Sequence, residues 1–159
     1  MEPGRTIEEP KLTIDLVPRR FWRSSLARAL PPVQWADCRA WAFDQADERC
    51  TVCGSVTGLQ CDEVWSFEEW VEGPMRVLTG LRALCYPCHA VKHFGRTLHR
   101  GDADAAVKHL MRVNGWSRRE VHVHISAAFA VFDQRNQVSW AGTDLTWLRD
   151  TLGIDATLS

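Results

Sequence analysis

Four cysteines occur as two pairs, each with two residues between its members. Cys50 and Cys53 form the first pair, and Cys85 and Cys88 form the second after 31 intervening residues. A CxxC turn directs both sulfur atoms towards one ion, and two such turns supply the four ligands of a tetrahedral zinc site. All-sulfur ligand sets favour zinc over hard cations such as Mg²⁺. The spacing therefore predicts one structural zinc ion bound by these four cysteines.

Other arrangements of the six cysteines remain as alternatives. Cys38 and Cys61 fall outside the paired pattern, and we expect them to be buried apolar residues. A Cys3His site that used His89 would leave one cysteine idle and would remove His89 from the helix face that it shares with His93. The four paired cysteines could also be unrelated buried residues. Paired spacings in a reducing compartment favour a metal site over a disulfide framework.

A second group of potential metal ligands lies close to the second cysteine pair. Asp62 and Glu63 lie between the two pairs, and His89 and His93 follow with the spacing that places two side chains on one face of a helix. Mixed carboxylate and imidazole ligands suit Mg²⁺, Mn²⁺ or a later transition metal such as Ni²⁺. Alternatively, Asp62 and Glu63 are surface carboxylates on a hairpin, and His93 caps the carboxyl end of its helix.

Composition limits the class of protein. The chain has 159 residues, 45% of them apolar, which is enough for one domain with its own core. We expect a cytoplasmic protein with no membrane partner, because no apolar stretch approaches the ~20 residues that span a bilayer. The net charge is −1, but residues 89–119 hold seven basic and two acidic side chains, whereas residues 1–75 hold eight basic and thirteen acidic ones. The basic part is either a solvated face or a nucleic-acid surface.

The pattern of apolar residues predicts how these groups are positioned. We expect residues 1–18 to form a loosely held arm, in which Leu12, Ile14 and Leu16 alternate like a short edge strand, and residues 19–159 to form a single domain. Within this domain we expect a helix from Pro32 to about Glu48, strands over 59–67 and 75–84 joined by a long acidic loop, and a short helix over 87–95.

The remainder of the domain is predicted to be helical over residues 102–152. Asp102 begins one helix, which ends at Asn114, and Ser117 and Glu120 form a capping box that begins the next. We expect the tail around Trp140 to Leu148 to pack back on these helices, which completes an α+β fold. The histidines outside the second ligand group are expected to be scaffold or surface residues, and the tryptophans to be buried anchors rather than base-stacking platforms: His99, His109, His122, His124, Trp65, Trp70 and Trp116.

The order of these motifs resembles that of the zinc-containing HNH nucleases, whose fold is also called ββα-metal. The resemblance covers about residues 50–96: a CxxC pair, a strand with adjacent polar residues, a second strand, and Leu-Cys-x-x-Cys-His with a further histidine four residues on. The stretches at 61–65, 109–114 and 140–148 are similar to a group of small bacterial HNH-like proteins. The resemblance implies a ββα-metal core between N-terminal and C-terminal helices.

The resemblance also implies a function, a metal-dependent endonuclease that hydrolyses the phosphodiester bonds of DNA. By motif position Asp62, His89 and His93 would bind a catalytic divalent ion such as Mg²⁺, Mn²⁺ or Ni²⁺. The catalytic residues would then be Asp62, His89 and, as the base that activates water, Glu63. The expected phosphate contacts are Lys92, Arg96 and Arg100.

Two positions depart from the pattern of the family. The strand pair usually reads His-His or Asp-His, whereas this chain has Asp62-Glu63, and the asparagine that orients the base aligns with Gly80. A glutamate with a pKa near ~4.3 is a weaker base at neutral pH than a histidine near ~6.5. The alternative function is therefore an inactive zinc-containing module that binds nucleic acid or a protein partner. A structural subunit of a larger assembly is a third possibility.

Overall fold

A long antiparallel hairpin lies at the centre of the fold. Its strands are β1 (Leu59–Trp70) and β2 (Gly73–Cys85), which pair over their whole length with one irregularity between Val64 and Trp65. A short strand, β3 (Gly142–Asp144), pairs with β2 in parallel. The sheet of the described chain therefore has three strands in the order β1-β2-β3.

Helices lie on both sides of the hairpin in the sequence. The structure is a computed structural model that describes residues 8–159. Within these residues, none of the helices is both long and apolar enough to cross a membrane.

The predicted α+β class, with N-terminal and C-terminal helices around the hairpin, is confirmed. The helices are α1 (Leu26–Ala29), α2 (Pro32–Gln45), α3 (Tyr86–Lys92), α4 (Phe94–His99), α5 (Ala103–Asn114), α6 (Arg118–Asn136) and α7 (Thr146–Leu152).

The turn of the hairpin is much tighter than predicted. Only Val71 and Glu72 separate the two strands, and the acidic residues Glu68 and Glu69, which were expected in a long loop, belong to β1. Both residues are exposed, so the end of β1 does not alternate between buried and exposed side chains, although its backbone stays paired with β2. Gly73 follows the turn with a φ of 121°, which a residue with a side chain rarely adopts.

Two apolar clusters hold the helices to the hairpin. Leu84 of β2 belongs to a cluster with residues of α3, α5 and α6, and Cys50, Cys85 and Cys88 are part of it. Leu78 and Leu81 of the same strand belong to a second cluster with residues of α1, α2 and α7. The second cysteine pair therefore lies at the junction of a strand, a helix and a packed core.

The segment before α1 is packed against the domain and is not a loose arm. Leu12, Ile14 and Leu16 are 1%, 6% and 9% exposed. It is not an edge strand either, because its backbone bonds to helices: Leu12 exchanges two hydrogen bonds with the Asn114 side chain, and the Ile14 N–H donates to His124 Nε2 at 2.9 Å. The prediction of a loose arm is therefore wrong for this segment, and its first seven residues lie outside the described part.

Two helices, α5 and α6, lie where the sequence predicted them, but β3 (Gly142–Asp144) interrupts the part predicted to be helical. Gly115 ends α5 with a left-handed φ of 65°, and the capping box of Ser117 and Glu120 begins α6. Leu145 and Leu148 of the tail are buried in the second apolar cluster, with residues of α1, α2 and β2, and not against α5 and α6 as predicted. The helix predicted over 87–95 is interrupted at His93, which separates α3 from α4.

Candidate metal centres

The four paired cysteines converge on one point. Cys50 and Cys53 lie in a turn after α2, Cys85 ends β2, and Cys88 lies in the first turn of α3. Their sulfur atoms all lie within 4.8 Å of one another, and Cys53 Sγ lies 3.5 Å from Cys85 Sγ. A tetrahedral zinc ion with Zn–S bonds of ~2.3 Å separates its sulfurs by about 3.8 Å. The predicted clustering is confirmed, and the donor set fits zinc.

Backbone hydrogen bonds fix the first cysteine turn against the hairpin. The Cys50 N–H donates to the Ser55 carbonyl at 2.8 Å, and the Gly54 N–H donates to the Cys50 carbonyl at 2.9 Å. Gly54 has a φ of 76°, a left-handed conformation that closes the turn. The Thr51 N–H donates to the Ala83 carbonyl of β2 at 3.0 Å, so the first pair is tied to the strand that delivers the second.

The pKa values of three of the cysteines depend on burial and on the groups around each sulfur. Burial and the neighbouring sulfur atoms raise the pKa of Cys88, and burial raises the pKa of Cys85 to about 11. Burial would raise the pKa of Cys50 too, but backbone N–H groups of neighbouring residues outweigh it and bring that pKa to about 7. Four thiolates at this distance repel one another, so a bound dication is what makes their full ionisation favourable.

A buried histidine supports the cysteine site from outside it. His109 Nε2 lies 3.1 Å from Cys88 Sγ, and an Arg112 terminal nitrogen lies 2.8 Å from His109 Nδ1. Because the guanidinium can only donate, Nδ1 accepts and Nε2–H donates to the sulfur. The sequence analysis placed His109 among scaffold or surface residues. The one feature of the sequence that pointed to a contact of His109 was its i,i+3 spacing from Arg112.

The second ligand group also assembles. Asp62 lies on β1, and His89 and His93 lie on and directly after α3. Asp62 Oδ1 is 3.6 Å from His89 Nε2 and 3.7 Å from His93 Nε2, and the two imidazole rings have centroids 4.6 Å apart. Ligand atoms that each lie ~2.1 Å from one ion can be at most about 4.2 Å apart. Both distances from Asp62 meet this limit, and all three ligand atoms lie within 4.8 Å of one another, so the three side chains are a candidate cation site.

Neighbouring groups hold His89 in the form that binds a metal ion. Gln60 Oε1 is hydrogen-bonded to His89 Nδ1, so Nδ1 carries the proton and the lone pair lies on Nε2, towards Asp62. Burial, together with the charges of His93, Lys92 and Arg96, lowers the pKa of His89 to about 4. The imidazole is therefore neutral at pH 7, the form that binds metals.

The Asp62 carboxylate is 1% exposed and already has two cationic partners. Lys92 Nζ donates to Oδ1 at 2.6 Å and Arg82 Nε donates to Oδ2 at 2.8 Å. Burial opposes ionisation, but the His93 side chain, Lys92 and Arg82 outweigh it and hold the pKa of Asp62 well below its usual range. Asp62 is therefore a buried anion and not a surface carboxylate on the hairpin.

Lys92 is not available to contact a phosphate, contrary to the prediction. Its side chain is 4% exposed, and Nζ also donates to the Glu63 carbonyl at 2.6 Å. The reason is helical geometry, since Lys92 follows His89 by three residues and therefore shares its inward face. Arg96 and Arg100 remain exposed, as a phosphate contact requires.

Glu63 is directed away from the Asp62 cluster, so its predicted role as a base does not fit the structure. Successive strand residues face opposite sides, and the Glu63 carboxylate accepts a hydrogen bond from the Leu26 N–H at the start of α1. Burial raises the pKa of Glu63, opposed by that N–H and by Arg76 and Lys92. Gly80, the position that aligns with the family asparagine, has open space where a side chain would begin.

The tryptophans and the two remaining cysteines named in the sequence analysis lie outside both ligand groups. Trp65 packs on the buried Arg76 guanidinium at 4.0 Å, and Trp116 packs on His124. Trp70 is 37% exposed, so the prediction that it is a buried anchor is wrong. Cys38 and Cys61 lie in or against the second apolar cluster, apart from the four clustered cysteines.

Comparison with known proteins adds no assignment. No family model, curated protein or solved structure matches the chain.

Lys92 provides a test of the buried ion pair. We expect Lys92→Met to lower the free energy of unfolding by about 1–3 kcal/mol, because Asp62 Oδ1 and the Glu63 carbonyl would lose their buried donor while Arg82 stays on Oδ2. Urea unfolding measures this change. Lys108→Met is the matched control, since Lys108 pairs with Asp104 at 2.9 Å on the surface, and we expect no measurable change there. Equal stability of the two variants would contradict the structural role of Lys92.

His109 provides a separate test of the cysteine site. We expect His109→Phe to release zinc to a chelator faster, by about tenfold or more, because Cys88 loses its hydrogen-bond donor. His109→Gln, which keeps an N–H donor, should recover part of the loss. His99→Phe, at an exposed histidine of α4, is the control. Zinc release is followed with a chromogenic chelator, and equal rates for the wild type and His109→Phe would refute the role of His109.

Proposed function

We propose that this chain is a divalent-metal-dependent endonuclease of the HNH type that hydrolyses phosphodiester bonds in DNA. The observation that supports this proposal most strongly is the position of Asp62 Oδ1, within 3.7 Å of Nε2 of both His89 and His93. The three residues come from a hairpin strand and the following helix, next to a cysteine cluster that fits zinc. This origin of the three residues supports the proposal of a ββα-metal core.

Each residue of the proposed site has a defined task. Asp62 supplies a permanent negative charge, while His89 and His93 supply ring nitrogens, and Gln60 keeps His89 in the required tautomer. A divalent ion bound there would stabilise the negative charge that develops on a phosphodiester during its hydrolysis. Arg96 and Arg100, both exposed, are proposed to hold flanking phosphates, so DNA affinity should fall as salt is raised.

The proposed site lacks the base that the family resemblance implied. Glu63 caps α1 on the opposite side of β1, and Gly80 has no side chain to orient a base. General base catalysis typically contributes about 10²–10⁴-fold to the rate. We therefore propose a slow nuclease, whose rate depends on metal binding more than on side-chain proton transfer.

One observation favours the second candidate, an inactive zinc-containing module that binds nucleic acid or a protein partner. Lys92 places an ammonium 2.6 Å from Asp62 Oδ1, so a cation already neutralises the carboxylate that would bind the catalytic metal. If Lys92 replaces the ion permanently, the hairpin and α3 form a rigid binding surface without chemistry. The two functions differ in whether a second metal binds.

Nicking of supercoiled plasmid distinguishes the two candidates. We expect the wild type to nick plasmid in Mg²⁺, Mn²⁺ or Ni²⁺, and His89→Ala and His93→Ala to lose this activity because each removes a metal ligand. His99→Ala is the matched control, an exposed histidine of α4 outside the ligand group. Zinc content and near-UV circular dichroism must stay unchanged in all variants.

Two results would contradict the nuclease proposal. One is nicking that survives in the His89→Ala His93→Ala double variant, which would identify a contaminant. The other is the absence of nicking with every metal by a zinc-loaded wild type, which would favour the binding module.

A further inference from the structure

The two cations on Asp62 differ in how firmly they are held. Lys92 is 4% exposed and donates to both Asp62 Oδ1 and the Glu63 carbonyl. The Arg82 side chain is 32% exposed. Among the described residues it makes a single hydrogen bond, from Nε to Asp62 Oδ2. Lys92 is therefore fixed in the core, whereas Arg82 stands at the edge of the site with its terminal N–H groups available to a ligand.

The charges around Asp62 disfavour a metal ion that binds alone. The Asp62 carboxylate, the Lys92 ammonium and the Arg82 guanidinium sum to one positive charge before either histidine is counted, and a divalent ion would raise the total to three. In a half-buried site such an excess is costly unless an anion enters as well. A phosphodiester supplies one negative charge, and a guanidinium binds phosphate oxygens with two parallel N–H groups.

We infer that Arg82 is a substrate-contacting residue that couples metal binding to phosphodiester binding at the proposed nuclease site. Without substrate, Arg82 neutralises Asp62 Oδ2 and weakens the affinity for the metal. When a DNA phosphate reaches the site, Arg82 turns to it and exposes Oδ2, so metal and substrate bind cooperatively. This inference rests on the proposed function, since it needs a divalent ion at Asp62, His89 and His93.

The coupling can be measured without any turnover. Zinc-loaded protein is titrated with Mn²⁺ by isothermal calorimetry, alone and with a saturating short DNA duplex whose linkages are phosphorothioates that resist hydrolysis. We expect the duplex to tighten Mn²⁺ binding to the wild type by about tenfold or more, and Mn²⁺ to tighten duplex binding by the same factor, because coupling is reciprocal. Fluorescence anisotropy measures the second factor.

The variant Arg82→Gln tests the assignment to this residue. We expect it to bind Mn²⁺ more tightly than the wild type in the absence of DNA, because Asp62 loses a competing cation, and to lose most of the coupling. Arg119→Gln removes an exposed arginine at the start of α6 and is the control for the loss of one positive charge. It should keep the full coupling.

Each contrary outcome has its own meaning. Equal coupling in the wild type and Arg82→Gln, or Mn²⁺ binding by the wild type that is unaffected by DNA, overturns the role of Arg82 and leaves the metal site intact. Failure of the wild type to bind Mn²⁺ both with and without DNA overturns the proposed function itself.

Discussion

The convergence of four cysteine sulfurs is the constraint on which the rest of the structure depends. Two of the sulfurs follow α2, and the other two lie at the junction of β2 and α3, so an ion bound by all four would fix the turn after α2 to that junction. In a domain of this size, zinc binding of this kind contributes directly to the free energy of folding. The same junction sets the position of α3 relative to β1, and hence the distances from Asp62 to His89 and His93.

Asp62 imposes a second constraint, because a buried carboxylate must keep its partners. Lys92 satisfies it from the core and Arg82 from the edge, while the His89 and His93 side chains approach Oδ1. A buried charge that loses its partner costs about 3–5 kcal/mol. The arrangement thus stabilises the fold with Lys92 in the core and leaves the Arg82 side chain partly exposed at the edge of the site.

The sequence predicted the parts of the site that depend on local spacing. The CxxC pairs and the i,i+4 spacing of His89 and His93 identified both ligand groups, because a turn and a helix fix which side chains share a side. The exposed position predicted for Lys92 was wrong, because Lys92 follows His89 by three residues and therefore shares its face of the helix. Its long side chain was assumed to be solvated. Glu63 was misplaced because neighbouring residues of a strand face opposite sides. Arg82 and Gln60 had no local pattern, since their partners lie 20 and 29 residues away. His109 had only its i,i+3 spacing from Arg112, which says nothing of its contact with Cys88, 21 residues before it.

Anomalous diffraction from a crystal soaked in Mn²⁺ tests the central claim, two metal sites of different chemistry, most directly. Maps collected at the zinc and manganese edges locate each element separately. The account requires one zinc peak among Cys50, Cys53, Cys85 and Cys88 and one manganese peak among Asp62, His89 and His93. A zinc peak with no manganese at Asp62, even with a DNA duplex bound, would contradict the second site and reduce the molecule to a zinc-containing binding module.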